Sequence, residues 1–275
     1  MKIDSHQHFW NYDPQQYPWI TDQLARIRRS FLPPDLEPEL KRARIDGCIA
    51  VQARQTVEES RWLLSLADKY DFIKGVVGWV DLRADDLEKD LASLSRHPKF
   101  VGVRHVAQDE PDDRFLVGKD FLRGISKLKQ FDLAYDILIF PKQLPAATEL
   151  VNRFPEQRFV LDHMAKPIIR EGLIEPWRTQ IHELAKAQNV WCKLSGLVTE
   201  AKWAGWKPTH LQPYLNVVAE AFGMDRLMFG SDWPVCLLAA NYQQVYQAVD
   251  DWATRTTTHP PTWRSSTCAR FYNLA

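Results

Sequence analysis

The chain has little cysteine, no excess charge of either sign and no long apolar run, and each lack removes a class of protein. Its four cysteines, Cys48, Cys192, Cys236 and Cys268, lie far apart in 275 residues with no CxxC pair, which argues against both a zinc ribbon and a disulfide framework. Thiols of this kind fit a reduced, cytoplasmic setting. Lysine plus arginine equals aspartate plus glutamate, 35 of each, so no overall positive field gathers phosphates, and neither nucleic acid nor membrane is an expected partner. No stretch approaches a transmembrane span. The opening MKIDSHQHFW places polar residues and two histidines where the apolar core of a signal peptide would lie.

What remains is an ordinary globular composition, 45% apolar and 25% charged, with length enough for one large α/β unit. Short β-rich apolar runs alternate with helical stretches along the whole chain, the mark of βα units and a parallel sheet. Strands are expected near Lys2–Gln7, Cys48–Ala53, Ile73–Val80, Phe100–Val106, Leu133–Phe140, Phe159–His163, Val190–Ser195 and Leu227–Ser231. Helical periodicity marks Glu58–Tyr70, Asp85–Leu94 and Ile181–Gln188. Prolines at 33, 34, 141, 145, 208, 260 and 261 fall between apolar runs and mark loops. Eight such units predict a single (β/α)8 TIM barrel over residues 1–275. The lack of a GxGxxG after the first strand lowers the open-sheet dinucleotide alternative. In a barrel, reactive groups belong at the C-terminal ends of strands.

Three strand ends carry chemistry. In Asp4-Ser5-His6-Gln7-His8, the two histidines are two residues apart, so both imidazoles face one point inside the mouth. Phe159-Val160-Leu161-Asp162-His163 ends a buried strand on an ionisable pair, which is costly unless paired or used. In Gly230-Ser231-Asp232-Trp233-Pro234, Gly230 allows a tight turn, Asp232 emerges at the mouth and Trp233 caps an apolar wall. Taken singly, each has a structural reading: an HxH that hydrogen-bonds within the barrel, a satisfied core histidine, a helix N-cap. Strands one and eight are neighbours in a closed barrel, however, so Asp232 and the His6/His8 pair come within reach of one water.

These residues resemble the amidohydrolase superfamily, and within it the lactonase group that includes sugar lactonases and pyrone dicarboxylate lactonases. The likeness rests on DSHQHFW at 4–10, VQARQT at 51–56, GVRHVAQDEPDDRFL at 102–116, LDHMAKP at 161–167, CKLSGL at 192–197 and MFGSDWPV at 228–235. Two departures matter. The fourth and fifth strands hold no lysine for a carboxylated bridge, so a two-metal site is not expected. The strand after His163 offers no second mid-barrel histidine, which weakens a decarboxylase. The resemblance implies hydrolysis of a small lactone with no required metal, although His6, His8, His163 and Asp232 form an acceptable set for a single divalent ion such as zinc.

On this reading Asp232 takes a proton from water, His163 polarises the carbonyl, and His6 and His8 position the water. Substrate contacts are expected from Gln52, Arg54, Trp79, Arg104, His105, Asp136 and Trp233, with His105 and Asp136 favoured. The loop holding Trp203, Gly205 and Trp206 is a candidate lid. Few arginines stand at the strand ends, which suits a neutral polyol better than a charged pyrone, and the resemblance then implies an aldonolactone such as L-fuconolactone or L-rhamnonolactone. The competing readings are a mononuclear metal-dependent hydrolase or decarboxylase, and an inert barrel that only binds. The oligomeric state is left open.

Overall fold

The structure is a computed structural model that describes residues 1–256 and 267–274, so Pro260 and Pro261 lie outside the described residues. Eight strands pair in chain order, each parallel to the next: β1 (Ile3–Gln7), β2 (Gly47–Val51), β3 (Ile73–Gly78), β4 (Phe100–His105), β5 (Ala134–Ile137), β6 (Phe159–Leu161), β7 (Val190–Leu194) and β8 (Leu227–Phe229). All eight expected strands are present, and most end one to three residues earlier than the apolar runs suggest. The chain leaves the ladder at the mouth because side chains there must be aimed rather than paired. His163, expected as the last residue of a strand, instead adopts a left-handed conformation with φ 53°.

The outer helices are α1 (Pro33–Ala43), α2 (Val57–Lys69), α3 (Leu87–Leu94), α4 (Lys119–Leu128), α5 (Leu144–Arg153), α6 (Trp177–Ala185), α7 (Leu197–Glu200), α8 (Pro208–Phe222), α9 (Tyr242–Thr256) and α10 (Thr267–Phe271). The longer ones, α1–α6, α8 and α9, each bury one apolar stripe. In α4 the buried residues Phe121, Ile125 and Leu128 recur at four- and three-residue spacing. Helix α2 starts where the Thr56 side chain accepts the backbone N–H of Glu59 at 3.1 Å, an N-cap that satisfies one of the unpaired donors of the first turn. No helix among the described residues is long and apolar enough to cross a membrane.

The main core fills the space between barrel and helices. A second cluster lies inside the barrel and takes Ile3, Ile49, Val51, Val77, Val101, Ala134, Val160 and Met228 from seven strands, with Cys268, Phe271 and Tyr272 from the C-terminal segment. Helix α10 and Tyr272 therefore close the floor of the barrel. All four cysteines are buried and free.

The seam between β8 and β1 is what places the mouth. A bridge joins Gln7 to Trp233, the His8 N–H donates to the Trp233 carbonyl at 2.7 Å, and the Asp232 N–H donates to the His6 carbonyl at 2.8 Å. Asp4, buried beneath, accepts the backbone N–H of Ser231 at 2.8 Å and the Tyr242 hydroxyl at 3.0 Å. Burial raises its carboxyl to about 6. Gly230 is needed here for a reason other than the expected tight turn: a Cβ would lie 2.7 Å from that of His6 and 3.0 Å from that of Ser195. The positive φ of the segment belongs to Asp232, at 55°.

Candidate active site

Four side chains from three distant parts of the sequence meet at the mouth. Asp232 Oδ1 lies 3.6 Å from His8 Nε2, 3.9 Å from His6 Nε2 and 3.9 Å from His163 Nε2. The Nε2 atoms of His6 and His8 are 3.2 Å apart. All four residues are buried.

The outer nitrogens decide what the inner ones can do. His8 Nδ1 sits 2.8 Å from the Val51 carbonyl, which only accepts, so Nδ1 carries the hydrogen and Nε2 of the neutral ring presents a lone pair. His163 Nδ1 lies 2.8 Å from the Ser195 hydroxyl, a group that donates or accepts and therefore serves either tautomer. His6 Nδ1 faces Lys193 Nζ at 3.3 Å and Asp162 Oδ1 at 3.3 Å. Its Nε2 is also 3.3 Å from Arg104 Nη1.

A lone pair on His8, a second imidazole nitrogen and a carboxylate oxygen thus crowd one point, which calls for a proton, a polarised water or a cation among them. Ligand atoms around a tetrahedral zinc are about 3.3–3.5 Å apart, given bonds of about 2.0–2.2 Å. The separations among His6, His8 and Asp232, 3.2, 3.6 and 3.9 Å, bracket and slightly exceed that spacing, and His163 faces the same carboxylate oxygen. The donor set therefore fits a single divalent ion.

Electrostatics divide the roles. Burial pushes the Asp232 carboxyl up, but the His163 and His8 rings and the Lys166 ammonium outweigh it and hold the group below its ordinary value. Burial lowers His163 to about 4, with Asp232 and Asp162 only partly offsetting it. His6 is driven well below the usual imidazole range, first by burial. At neutral pH the mouth thus holds a carboxylate beside neutral rings at positions 6 and 163. His163 begins a run of four consecutive left-handed residues, His163, Met164, Ala165 and Lys166. Such backbone costs roughly 1–2 kcal/mol per residue and persists only where surrounding structure imposes it. Gly196 makes room for the ring, since a Cβ there would stand 2.7 Å from His163 Nδ1.

The remaining sequence-predicted residues fall into three groups. Arg54 and Trp79 are half-buried at strand ends. Arg54 reaches Gln16 at 2.5 Å and lies over the Tyr17 ring, while Trp79 Nε1 donates to His105 Nδ1 at 3.3 Å. Gln52, Arg104, His105 and Trp233 are buried and engaged. The Arg104 guanidinium donates to Gln52 and to Asp162 Oδ2 at 3.1 Å. His105 passes its other nitrogen to Glu110 at 2.7 Å and stacks on Phe115, so both its nitrogens are spent within the protein. Trp233 packs edge-on against Phe9 and Phe31.

Asp136 requires a correction: expected as a substrate contact, it lies inside the barrel with both oxygens engaged. Lys193 Nζ donates to it at 2.5 Å and the Tyr272 hydroxyl sits 2.8 and 2.9 Å from its two oxygens. The register of Asp136 with Val160 turns it inward, where Lys193 and Tyr272 occupy both its oxygens. The Trp203–Trp206 loop is also tied down, with Trp203 Nε1 bonded to the Thr199 carbonyl and Trp206 Nε1 to that of Ala239, each at 3.0 Å. It is a packed loop flanking an outer groove of about 430 Å³.

Sequence reasoning passed over Lys193, Glu59 and Tyr272. Glu59 is buried, accepts the N–H groups of Ala53 and Arg54 at 2.9 and 2.8 Å, and is raised by burial to about 7. The signal for Lys193 was present: a lysine inside the apolar strand VWCKL must find a buried anion.

Comparison with known proteins places the chain in a family. Residues 3–265 match the amidohydrolase family. The chain is 44% identical to an L-fucono-1,5-lactonase of Burkholderia multivorans over 263 residues, 92% of this chain and 88% of that protein. It is 43% identical to an L-fucono-1,5-lactonase of Burkholderia ambifaria, over 88% of this chain and 83% of that protein. A crystal structure of a Burkholderia multivorans amidohydrolase with bound zinc superimposes with a TM-score of 0.97 at 42% identity, covering 100% of both chains.

Proposed function

The chain belongs to the amidohydrolase family, and on that premise we propose that it hydrolyses a small sugar lactone, an aldonolactone such as L-fuconolactone, to the open hydroxy acid. Two relatives at 43–44% identity carry the L-fucono-1,5-lactonase name. The observation that carries the chemistry is the meeting of Asp232 with three imidazole Nε2 atoms, 3.6–3.9 Å away, in one buried mouth.

Asp232, ionised at neutral pH, takes a proton from water as the water oxygen attacks the lactone carbonyl. His163 holds its ring hydrogen on Nε2 when Ser195 donates to Nδ1, and polarises the carbonyl oxygen as negative charge builds there. His8, with its lone pair directed inward, and His6 orient the water. The proton then passes from Asp232 to the departing ring oxygen, and the carbon–oxygen bond of the ring breaks. Arg54 and Trp79 meet the sugar at the rim, and Gln52, Arg104, His105 and Trp233 form the wall behind them. Because a lactone is an activated ester, the reaction on this reading has no obligatory metal. A single divalent ion such as zinc fits His6, His8, His163 and Asp232, and when bound supplies Lewis acidity at the carbonyl.

The test is a panel of aldonolactones followed with a pH indicator, using metal-analysed protein with and without chelator. Acid release from L-fuconolactone that survives chelation is the expected result. Failure on every lactone would sink the reading, and loss on chelation with recovery on zinc or manganese would make the metal obligatory.

A further inference from the structure

A buried chain of charged and polar groups runs from the floor of the barrel to its mouth. The Tyr272 hydroxyl bonds Asp136, Asp136 accepts from Lys193, Lys193 Nζ lies 3.0 Å from Asp162 Oδ1 and 3.3 Å from His6 Nδ1, and Arg104 closes the far side by donating to Asp162 Oδ2. Lys193, Asp136 and Asp162 are wholly buried. The charges balance, two cations against two carboxylates. Asp162 Oδ1 is within ion-pair distance of both Lys193 and His6, so Lys193 and Asp162 together face the outer nitrogen of His6.

A buried ion pair is a weak source of stability, because desolvation consumes most of the Coulombic gain and a well-packed apolar replacement often does as well. What such a pair does supply is a fixed geometry. Here it fixes the outer nitrogen of a mouth imidazole, and its outermost anchor, Tyr272, arrives from the C-terminal segment that closes the floor.

We propose that Lys193 and Tyr272 are positioning residues for the active site: the Tyr272 hydroxyl and Asp136 hold the Lys193 ammonium against His6 Nδ1, so that docking of the C-terminal segment completes the orientation of the His6 ring. This rests on the lactonase reading for its kinetic consequence but not for its structural one. Lys193 touches no reacting atom and acts only through His6. An ammonium only donates, so this contact sets the lone pair of His6 on Nδ1 and its hydrogen on Nε2, whereas a divalent ion at Nε2 would require Nδ1–H to face Asp162 instead.

The experiment compares wild type with Tyr272→Phe, which deletes one oxygen and keeps the ring, and with Asp136→Asn as a second break in the same chain should the first fold poorly. Two readouts are taken: kcat and KM for L-fuconolactone well below the unfolding midpoint, and side-chain 15N resonances of histidine-labelled protein, with His6 assigned by its loss in His6→Asn. The expected result is a fall in kcat of about tenfold with KM within about twofold, together with movement of the His6 resonances while those of the outer His97, His182 and His210 stay in place. A lower unfolding midpoint with kcat and the His6 resonances unchanged would overturn the proposal and leave the chain of charges a structural one. If wild type hydrolyses no lactone, the functional reading falls by itself, and the His6 resonances in Tyr272→Phe still decide this one.

Discussion

The backbone N–H of Asp232 donates to the carbonyl oxygen of His6 at 2.8 Å, so the bond that closes the barrel also sets the carboxylate against the imidazoles. Strand β1 ends at Gln7 and β8 at Phe229. Beyond them the two chains run together through His8 and Trp233. Barrel closure and assembly of the site are one structural event, and a variant that disturbs the seam should affect both.

Asp232→Asn keeps the shape of the side chain and its backbone bond to His6 but removes the base. Turnover of L-fuconolactone should fall by about 10²-fold or more, with an unchanged far-UV spectrum and KM little altered. Near wild-type turnover would remove Asp232 from the reaction.

Gly196→Ala attacks the site from the other side. Its φ is +68° and the added Cβ would lie 2.7–2.9 Å from three atoms of the His163 side chain, so the ring must move or the turn must open. Loss of stability of about 1–3 kcal/mol is expected from the overpacking, accompanied by reduced kcat. Chemical denaturation and steady-state kinetics on the same preparation measure both. Retained kcat would show that the ring orientation of His163 is not limiting.

Arg104 was expected to touch substrate, and the structure gives it a scaffold role: its guanidinium joins Gln52, Asp162 and His6 across the mouth. Arg104→Lys cannot reproduce that fork. The lysine keeps the charge but leaves buried acceptors on Gln52 or Asp162 unpaired, at about 1–3 kcal/mol each, so the unfolding midpoint should drop along with activity. A variant of native stability whose only defect is a raised KM would return Arg104 to the substrate.

The barrel was legible in the sequence because short apolar β-rich runs alternate with helical stretches along the chain, and the four mouth residues were legible as a group because strand ends in a barrel share one side. Spacing put His6 and His8 on one face, and the neighbouring eighth strand with Asp232 was what set them apart from an ordinary buried HxH. The interior network could not be read in this way, since it depends on register: Asp136 is turned inward by its pairing with Val160 of β6. Tyr272 carries no local signal that it will turn back under the barrel to meet a strand 136 residues earlier. Gly230 was read as a turn residue because sequence shows glycine but not the neighbour, here the Cβ of His6, that requires it.

The acid limb of activity should report His163. Burial lowers this ring from 6.5 to about 4, and Asp232 lies below its own ordinary 3.8, so on acidification the imidazole charges before the carboxylate is lost. kcat/KM should therefore stay level from neutrality to about pH 5 and fall as pH drops through about 4. Stability follows the same sign. The unfolded ring binds a proton near 6.5 and the folded one only near 4, so the contribution of neutral His163 is fully present above 6.5 and is lost as pH falls toward 4. His163→Asn, which cannot titrate, should thus gain stability relative to wild type over that interval, whatever its activity. Unfolding midpoints of the two proteins at pH 7 and pH 4.5 measure the difference. A constant gap between them would mean that His163 titrates alike in both states, and an acid limb centred near 6.5 would mean that a free imidazole, rather than the buried one, governs the reaction.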